Sequence, residues 1–341
     1  MLKLPSRTKW RNHFRDRGLP SELISEYVAY ITGLCESDVP VVFEFNHLSL
    51  LLGIERSCLA AMIKAPDSFY RTFSVAKRRG GERRISAPYP SLLHCQKWIY
   101  QSILARKQVH SCAHGFVPER SIFTNAQVHL GCRALLKMDL EDYFPSIPVN
   151  WVVNFFRHLG YAGNVAFFLS SLCCKDGGLP QGAATSPPLS NLLVIQLDER
   201  LAGLAKSYDL RYTRYADDLA FSGGYIPHKF IKIVEEIVCD FGLSVNQSKT
   251  KLCVGQGRKV VTGLSVSGPV LKLPRSVKRS LRQQAHYVKQ YGILSHSSKL
   301  RNRNPYYLES LIGKLAFWIQ VEPDNDYPKA YLTALRGILN G

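Results

Sequence analysis

Residues 212–222 read Tyr-Thr-Arg-Tyr-Ala-Asp-Asp-Leu-Ala-Phe-Ser, with an Asp-Asp pair between two short runs of aromatic and aliphatic residues. The flanks have the composition of half-buried strands and aspartate tolerates turn geometry, so the stretch predicts a strand, an acidic turn and a second strand. Such a turn exposes Asp217 and Asp218. Carboxylates about 5 Å apart repel each other by on the order of 3 kcal/mol at an effective dielectric of about 20, so we expect a cation between them.

A third carboxylate, Asp139, ends the apolar run Leu135-Leu136-Lys137-Met138, which is typical of a buried strand. Magnesium binds carboxylate oxygens together with substrate phosphates, and two ions about 3.5–4 Å apart can activate an attacking hydroxyl and stabilise a leaving pyrophosphate. Asp139, Asp217 and Asp218 are therefore candidate ligands of a pair of magnesium ions. An Asp-Asp turn taken alone is more often the solvated tip of a hairpin, so the other motifs must decide.

The composition indicates a folded chain with a polyanionic partner. Of the 341 residues 46% are hydrophobic, and 44 Lys and Arg against 26 Asp and Glu give a formal net charge of +18. This charge favours a nucleic acid, because no long apolar segment or basic amphipathic anchor for a membrane is visible. Nine cysteines without a Cys-x-x-Cys pair fit a reducing cytosol. His110-Ser111-Cys112-Ala113-His114 lacks a second half-site, so zinc is not expected there.

Three motifs, in this order, resemble those of reverse transcriptases. Residues 139–144 (Asp-Leu-Glu-Asp-Tyr-Phe) are similar to the family's first carboxylate motif, residues 178–192 to its template-and-nucleotide loop, and residues 215–218 (Tyr-Ala-Asp-Asp) to its catalytic box. The resemblance covers roughly residues 70–340. It implies an α+β, right-hand polymerase fold with fingers, an antiparallel-sheet palm and a helical thumb.

The resemblance also implies a domain division and a metal site. The expected units are an N-terminal helical extension at 1–68, fingers at 69–134, a palm at 135–268 with finger helices at about 151–176, and a thumb at 269–341. Two Mg²⁺ ions would be held by Asp139, Asp217, Asp218 and the backbone of Leu140. Lys249 would protonate the departing pyrophosphate, or alternatively act as a charge partner for phosphate.

A basic turn within residues 69–88 resembles the fingers hairpin that holds the incoming deoxynucleoside triphosphate. Lys77 and Arg83 are the favoured contacts and Arg84 is the competitor, while generic binding of a nucleic-acid backbone is the alternative. Since one sequence does not fix the register of the hairpin, the choice among these cations stays open.

Two further positions are expected to contact the nucleotide. Phe144 has the spacing from Asp139 at which the family places an aromatic ring under the sugar, where it excludes a 2′-hydroxyl and selects deoxynucleotides. An ordinary core phenylalanine is the alternative. Gln181 and Gly182 would contact the nucleotide or the template base, because glycines permit close approach of a ligand or another backbone.

Two short segments narrow the resemblance to retron reverse transcriptases. Asn125 and His129 lie one helical turn apart in an Asn-Ala-x-x-His segment, and residues 261–263 read Val-Thr-Gly. Without the resemblance, Asn125 would be interpreted as a helix-capping residue and His129 as a histidine whose ring nitrogens are hydrogen-bonded within the protein. The retron resemblance instead implies contact with RNA at both, and a basic thumb helix is expected to grip duplex backbone through Lys278, Arg279 and Arg282.

The retron resemblance also implies partners. The template would be a cognate structured noncoding RNA, which offers a 2′-hydroxyl as primer, and the product would be branched, RNA-linked single-stranded DNA. A separately encoded defence effector against phage, a bacterial cytoplasmic location and no membrane partner are expected. The alternatives are another prokaryotic reverse transcriptase, of the group II intron or diversity-generating type, and an RNA-binding scaffold without catalysis.

Overall fold

The N-terminal part of the chain is helical. The structure, a computed structural model, describes residues 7–76, 80–293 and 304–340. Its first helices are α1 (Arg7–Asp16), α2 (Ser21–Glu36), α3 (Phe45–Leu52) and α4 (Arg56–Lys64). The buried side chains of α2 recur at helical spacing and include Ile31 and Leu34, which belong to the main hydrophobic core. The N-terminal helices therefore pack on the same core as the central sheet.

A β-hairpin follows these helices. Strands β1 (Tyr70–Ala76) and β2 (Glu82–Pro88) pair antiparallel, and most of their side chains are exposed. Lys77 lies outside the residues that the structure describes. Helix α5 (Pro90–Ile99) continues as a π-helical turn to Leu104 and contributes Leu92, Cys95 and Ile99 to the main core, and a short helix α6 (Ile122–Gln127) precedes the sheet.

Four antiparallel strands form the central sheet. They are β3 (Ala134–Asp139), β4 (Arg211–Tyr215), β5 (Asp218–Gly223) and β6 (Lys251–Val254), in the spatial order β4-β5-β3-β6. The predicted strand, turn and strand around residues 212–222 are thus confirmed, since β4 and β5 are joined by two residues only.

The sheet separates two hydrophobic cores, because side chains alternate between the faces of a strand. Leu136 and Met138 of β3 belong to the main core, whereas Leu135 belongs to a second core. Burial on both faces explains why β3 is a nearly continuous apolar run. Only its last residue, Asp139, carries a carboxylate, and this residue is largely buried at the end of the strand.

Helices cover the main-core face of the sheet. They are α7 (Val149–His158), α8 (Gly163–Cys173), α9 (Ser186–Leu193), α10 (Ile195–Ser207) and α11 (His228–Asp240). Phe221 of β5 shows the packing, with its ring centroid 4.7 Å from that of Tyr212 and 5.1 Å from that of Phe230 in α11.

The C-terminal helices pack on the second core. A short hairpin of β7 (Val260–Val261) and β8 (Leu264–Ser265) leads to α12 (Arg275–Tyr291), α13 (Tyr307–Val321) and α14 (Asp326–Asn340). Leu281, Ala285 and Val288 of α12 meet the fully buried Trp318 of α13 in this core. The chain therefore combines an antiparallel sheet with surrounding helices, as the α+β prediction requires.

Candidate active site

Asp139 and the Asp217–Asp218 pair lie at the adjoining ends of two neighbouring strands, with Asp217 in the turn before β5. Asp139 ends β3 and pairs in register with Asp218, the first residue of β5. The amide N of Leu140 donates to the carbonyl O of Asp217 at 2.9 Å, which fixes the turn against the end of β3. The fold thus brings together three carboxylates that are distant in the sequence.

The turn that carries Asp217 is tight and strained. Strand β4 ends at Tyr215 and β5 begins at Asp218, so Ala216 and Asp217 alone connect them. Ala216 has a φ of +56°, a left-handed conformation that costs an L-residue about 1–2 kcal/mol. Strain of this size persists only where the surrounding contacts fix the backbone.

A buried arginine supplies such contacts. The guanidinium of Arg214 is paired with Asp198 of α10, with Nη2 2.7 Å from Oδ2 and Nε 2.8 Å from Oδ1, and both side chains are fully buried. Its Nη1 donates to the carbonyl O of Ala216 at 3.2 Å, to Asn191 Oδ1 at 2.9 Å and to Tyr143 Oη at 3.1 Å. One cation therefore ties the turn to helices α9 and α10 and to the loop after β3.

Arg214 is not among the site residues predicted from the sequence. A signal exists, because Tyr212 and Arg214 share one face of β4, and a charged residue at an inward strand position needs a buried partner. The identity of that partner depends on how α10 packs against the sheet, so Asp198 is found only in the tertiary structure.

Asp217 and Asp218 lie in an environment that disfavours their ionised forms. Burial raises the pKa of Asp217 above its usual range, and repulsion by Asp139 adds to the shift. Burial also raises the pKa of Asp218, against the attraction of Lys137. A divalent cation bound between these groups would reverse the balance, because it stabilises the ionised carboxylates.

Lys249 forms an ion pair with Asp139. Its Nζ donates to Asp139 Oδ2 at 2.7 Å, and this hydrogen bond is the main reason that the pKa of Lys249 is raised. Lys249 ends a short 3₁₀ turn before β6, and the amide N of Asn246 donates to the carbonyl O of Asp139 at 2.7 Å. The Lys249 side chain as a whole is about half exposed.

An open cleft of about 890 Å³ contains most of the predicted site. The carboxylates and Lys249 line it on the side of the central sheet, and Arg83 and Arg84 of β2 line it on the side of the hairpin. Leu140, Phe144 and Gln181 also line the cleft. Cations thus face carboxylates across a space large enough for a nucleotide.

The glycine-rich loop touches the hairpin through its backbone. The amide N of Ser86 donates to the carbonyl O of Gln181 at 2.8 Å. Gly182 has a φ of +124°, and a Cβ atom at this position would lie 2.7 Å from the carbonyl O of Ser86. Only glycine permits this approach, so Gly182 serves to join the loop to β2, which in turn places the Gln181 side chain in the cleft.

His110, Cys112 and Asp198 place possible ligand atoms within 4.8 Å of one another among the residues that the structure describes. The carboxylate of Asp198 already accepts hydrogen bonds from Arg214 and from Tyr212 Oη. A divalent ion here would face the adjacent guanidinium charge in a buried site. We therefore assign this cluster to the network of Arg214 rather than to a metal centre.

Asn125 and His129 are buried, and the expectation that they contact RNA directly is not compatible with their positions. His129 is fully buried, and its Nδ1 and Nε2 each lie 2.7 Å from a hydroxyl, that of Ser222 in β5 and that of Thr213 in β4. Asn125 Nδ2 lies 3.5 Å from Thr262 Oγ1. The Asn-Ala-x-x-His and Val-Thr-Gly segments therefore meet in the interior, where they join α6 to β7 and to the sheet.

Acid should destabilise the protein through His129. Burial lowers the pKa of His129 to about 3, so the unfolded chain binds a proton near pH 6.5 and the folded protein does not. The stability that neutral His129 contributes is present above pH 6.5 and is lost as the pH falls below it. When the pH falls from 7.5 to 5, the free energy of unfolding should decrease by about 2 kcal/mol more in the wild type than in His129→Gln, as measured by urea unfolding. Equal losses in both proteins would contradict this assignment.

The predicted cations of α12 differ in what they contact. The Nζ of Lys278 is 3.0 Å from Glu322 Oε1 in a largely buried ion pair, which ties α12 to the end of α13. Lys278 is thus a packing contact of the helices rather than an open phosphate ligand, contrary to expectation. The guanidinium of Arg282 lies over the ring of Tyr327 at 5.0 Å and remains exposed, as does Arg279.

Within the part of the chain that the structure describes, no helix combines the length and the apolar character that crossing a bilayer requires.

Comparison with known proteins agrees with the geometry of the site. Residues 75–294 match the family model described as "Reverse transcriptase (RNA-dependent DNA polymerase)". Similar proteins include the retron Ec86 reverse transcriptase of Escherichia coli, 35% identical over 256 residues that cover 73% of this chain and 79% of that protein. The retron Mx162 reverse transcriptase of Myxococcus xanthus is 34% identical over 74% of this chain, and the match spans 58% of the length of that protein. The chain belongs to the reverse transcriptase family, with its right-hand polymerase fold, and within that family to the retron type.

Proposed function

We propose that this protein is an RNA-directed DNA polymerase that copies a cognate structured noncoding RNA from an RNA 2′-hydroxyl, giving branched, RNA-linked single-stranded DNA. The observation that carries the proposal is the pairing of Asp139 with Asp218 at the floor of a cleft whose other side carries Arg83 and Arg84. This arrangement suits a deoxynucleoside triphosphate, because its phosphates need cations and its reacting centre needs metal ligands.

The donor set fits Mg²⁺. Asp139, Asp217, Asp218 and the backbone of Leu140 offer oxygen ligands, and the raised pKa values of Asp217 and Asp218 indicate carboxylates that a cation would stabilise. When bound, two Mg²⁺ ions would lower the pKa of the priming hydroxyl and neutralise charge on the leaving pyrophosphate.

The remaining residues of the cleft would bind and orient the nucleotide. Arg83 and Arg84 would hold its phosphates, a role that Lys77 would share. Phe144 would lie beside the sugar and exclude a 2′-hydroxyl, and Gln181 would contact the base pair. Because the chemistry is largely positioning and charge stabilisation, these contacts would contribute much of the rate.

Lys249 would act on the phosphates of the bound triphosphate. Its ammonium donates to Asp139 and lines the cleft in which the phosphates would lie. The ion pair with Asp139 raises the pKa of Lys249, so Lys249 stays protonated at neutral pH, as both a proton donor and a phosphate partner require.

The partners would be the cognate RNA, its DNA product, deoxynucleoside triphosphates and a separately encoded defence effector, in the bacterial cytoplasm. Arg279 and Arg282 on the exposed face of α12 would contact the backbone of the RNA. The high positive charge of the chain supports a large polyanionic partner.

Analysis of copurified nucleic acid tests the proposal. The protein is purified from its native host, and the bound nucleic acid is treated with ribonuclease, deoxyribonuclease and a 2′–5′ debranching enzyme. We expect DNA that remains joined to a short RNA until the debranching enzyme separates them. Linear complementary DNA would indicate another type of reverse transcriptase, and RNA alone would indicate a scaffold without catalysis.

A further inference from the structure

The segment before Phe116 is fixed against the catalytic hairpin. Arg214 N donates to the carbonyl O of Cys112 at 2.9 Å and His114 N donates to the carbonyl O of Arg214 at 2.8 Å, so the segment runs beside β4. A Cβ atom on Gly115 would lie 2.7 Å from Ala216 N, which shows how closely the two backbones approach.

Side chains hold the same segment from other directions. Asn191 Nδ2 donates to the carbonyl O of Gly115 at 2.8 Å, and Arg120 Nη1 donates to the carbonyl O atoms of His110 and Ser111, each at 3.0 Å. The position of the next residue, Phe116, is therefore determined by the same elements that position the Asp217 turn.

Phe116 has an unfavourable backbone for an aromatic residue. Its φ is +61°, in the left-handed region that bulky side chains rarely adopt. The ring does not compensate by entering a core, because the residue is 50% exposed. A strained and exposed aromatic residue inside a cleft points to a role in function rather than in folding.

The ring of Phe116 completes an aromatic wall of the cleft. Its centroid is 6.2 Å from that of Phe144 and 6.5 Å from that of Tyr215, and all three residues line the cleft that holds the carboxylates. Phe144 is the proposed neighbour of the nucleotide sugar, and Tyr215 precedes the metal-binding turn. A planar ring between them can pack against the sugar and the base of a nucleotide.

We propose that Phe116 is a nucleotide-contacting residue that stacks on the incoming deoxynucleoside triphosphate. This inference rests on the proposed function and adds a residue to it. Stacking tolerates every base, because each base presents a π-face, so the contact would give affinity and not base selection. The stacking contact would be equally strong in the bound ground state and in the transition state. It should therefore lower the KM for the nucleotide and leave kcat unchanged.

Three substitutions distinguish the contribution of the Phe116 ring from that of its strained backbone. Phe116→Ala removes the ring and keeps a Cβ in the left-handed region, Phe116→Gly removes the ring and the strain, and Phe116→Tyr keeps the ring. On poly(rA) primed with oligo(dT), Ala and Gly should both raise the KM for dTTP about tenfold with kcat unchanged, and Tyr should match the wild type. The Gly variant should melt at a higher temperature than the Ala variant.

A fluorescence measurement provides a readout without turnover. The fluorescence of 2-aminopurine deoxyribonucleoside triphosphate falls on stacking, so it should be quenched by the wild type and the Tyr variant and not by the Ala and Gly variants. An unchanged KM in both ring-deleted variants, or KM values that follow their melting temperatures, would overturn the inference. A wild type that quenches the analogue without incorporating dTTP would instead refute the proposed polymerase function alone.

Discussion

Asp217→Asn is expected to abolish DNA synthesis while RNA binding is retained. The substitution removes one charged oxygen ligand from the proposed metal site and changes neither the size of the side chain nor the turn. Because metal ions contribute several kcal/mol of transition-state stabilisation, incorporation of dTTP on poly(rA) with oligo(dT) should fall by roughly a thousandfold or more. Copurified RNA should be present at the wild-type level.

The matched control is Asp142→Asn, the same change in an exposed residue that lines the same cleft. It should retain most of the activity.

The raised pKa of Asp217 shows that the folded protein disfavours the ionised form of this carboxyl. At neutral pH the ionised Asp217 therefore lowers the stability of the folded state, and this penalty disappears as the pH falls through the pKa of the folded protein. Asp217→Asn should therefore melt no lower than the wild type without metal. If Asp217→Asn lacks copurified RNA and also melts at a lower temperature than the wild type, the variant is misfolded, which would contradict a purely catalytic role.

Arg214→Leu is expected to destabilise the protein strongly. It leaves the carboxylate of Asp198 buried without a counter-charge, and removal of one partner of a buried ion pair typically costs about 3–5 kcal/mol. It also removes the donor to the carbonyl O of Ala216, so the strained turn loses a restraint. We expect a fall in melting temperature on the order of 10 °C, measured by calorimetry, together with loss of polymerase activity.

An exposed ion pair between α10 and α11 gives the control. Arg200 in α10 lies 3.3 Å from Asp240, with both side chains largely exposed, so Arg200→Leu should change the stability by less than about 1 kcal/mol. The double substitution Arg214→Leu with Asp198→Leu should recover part of the lost stability, because it removes the unpaired charge. If the double variant loses as much unfolding free energy as Arg214→Leu and Asp198→Leu lose together, the pair is not energetically coupled.

Asp217 and Arg214 differ in how far local sequence reveals their roles. Asp217 can be chosen from the sequence, because its neighbours, its order relative to Asp139 and its place between two apolar runs are all local features. Arg214 is only three residues away, yet its role depends on Asp198, Asn191 and Tyr143, which reach it from separate elements. No local pattern specifies those contacts.

The same distinction explains the corrected predictions. Asn125 and His129 are recognisable as a pair in the sequence, but their interior position follows from the packing of α6 on β4, β5 and β7. Burial decides whether a polar side chain contacts RNA or a hydroxyl group in the core. A short sequence motif does not reveal whether its residues are buried. Lys278 gives a parallel case, since Glu322 reaches it from the end of another helix.

The sequence by itself determined the strand, turn and strand around Asp217, the carboxylates, the basic hairpin and the membership of the polymerase family, because residue type and spacing govern local conformation and chemistry. Only the tertiary structure decided that Asp139 faces Asp218, that Arg214 and His129 are enclosed, and that Phe116 stands strained in the cleft. These outcomes depend on contacts between segments far apart in the chain, whose free energy is set by packing and desolvation once the whole fold has formed.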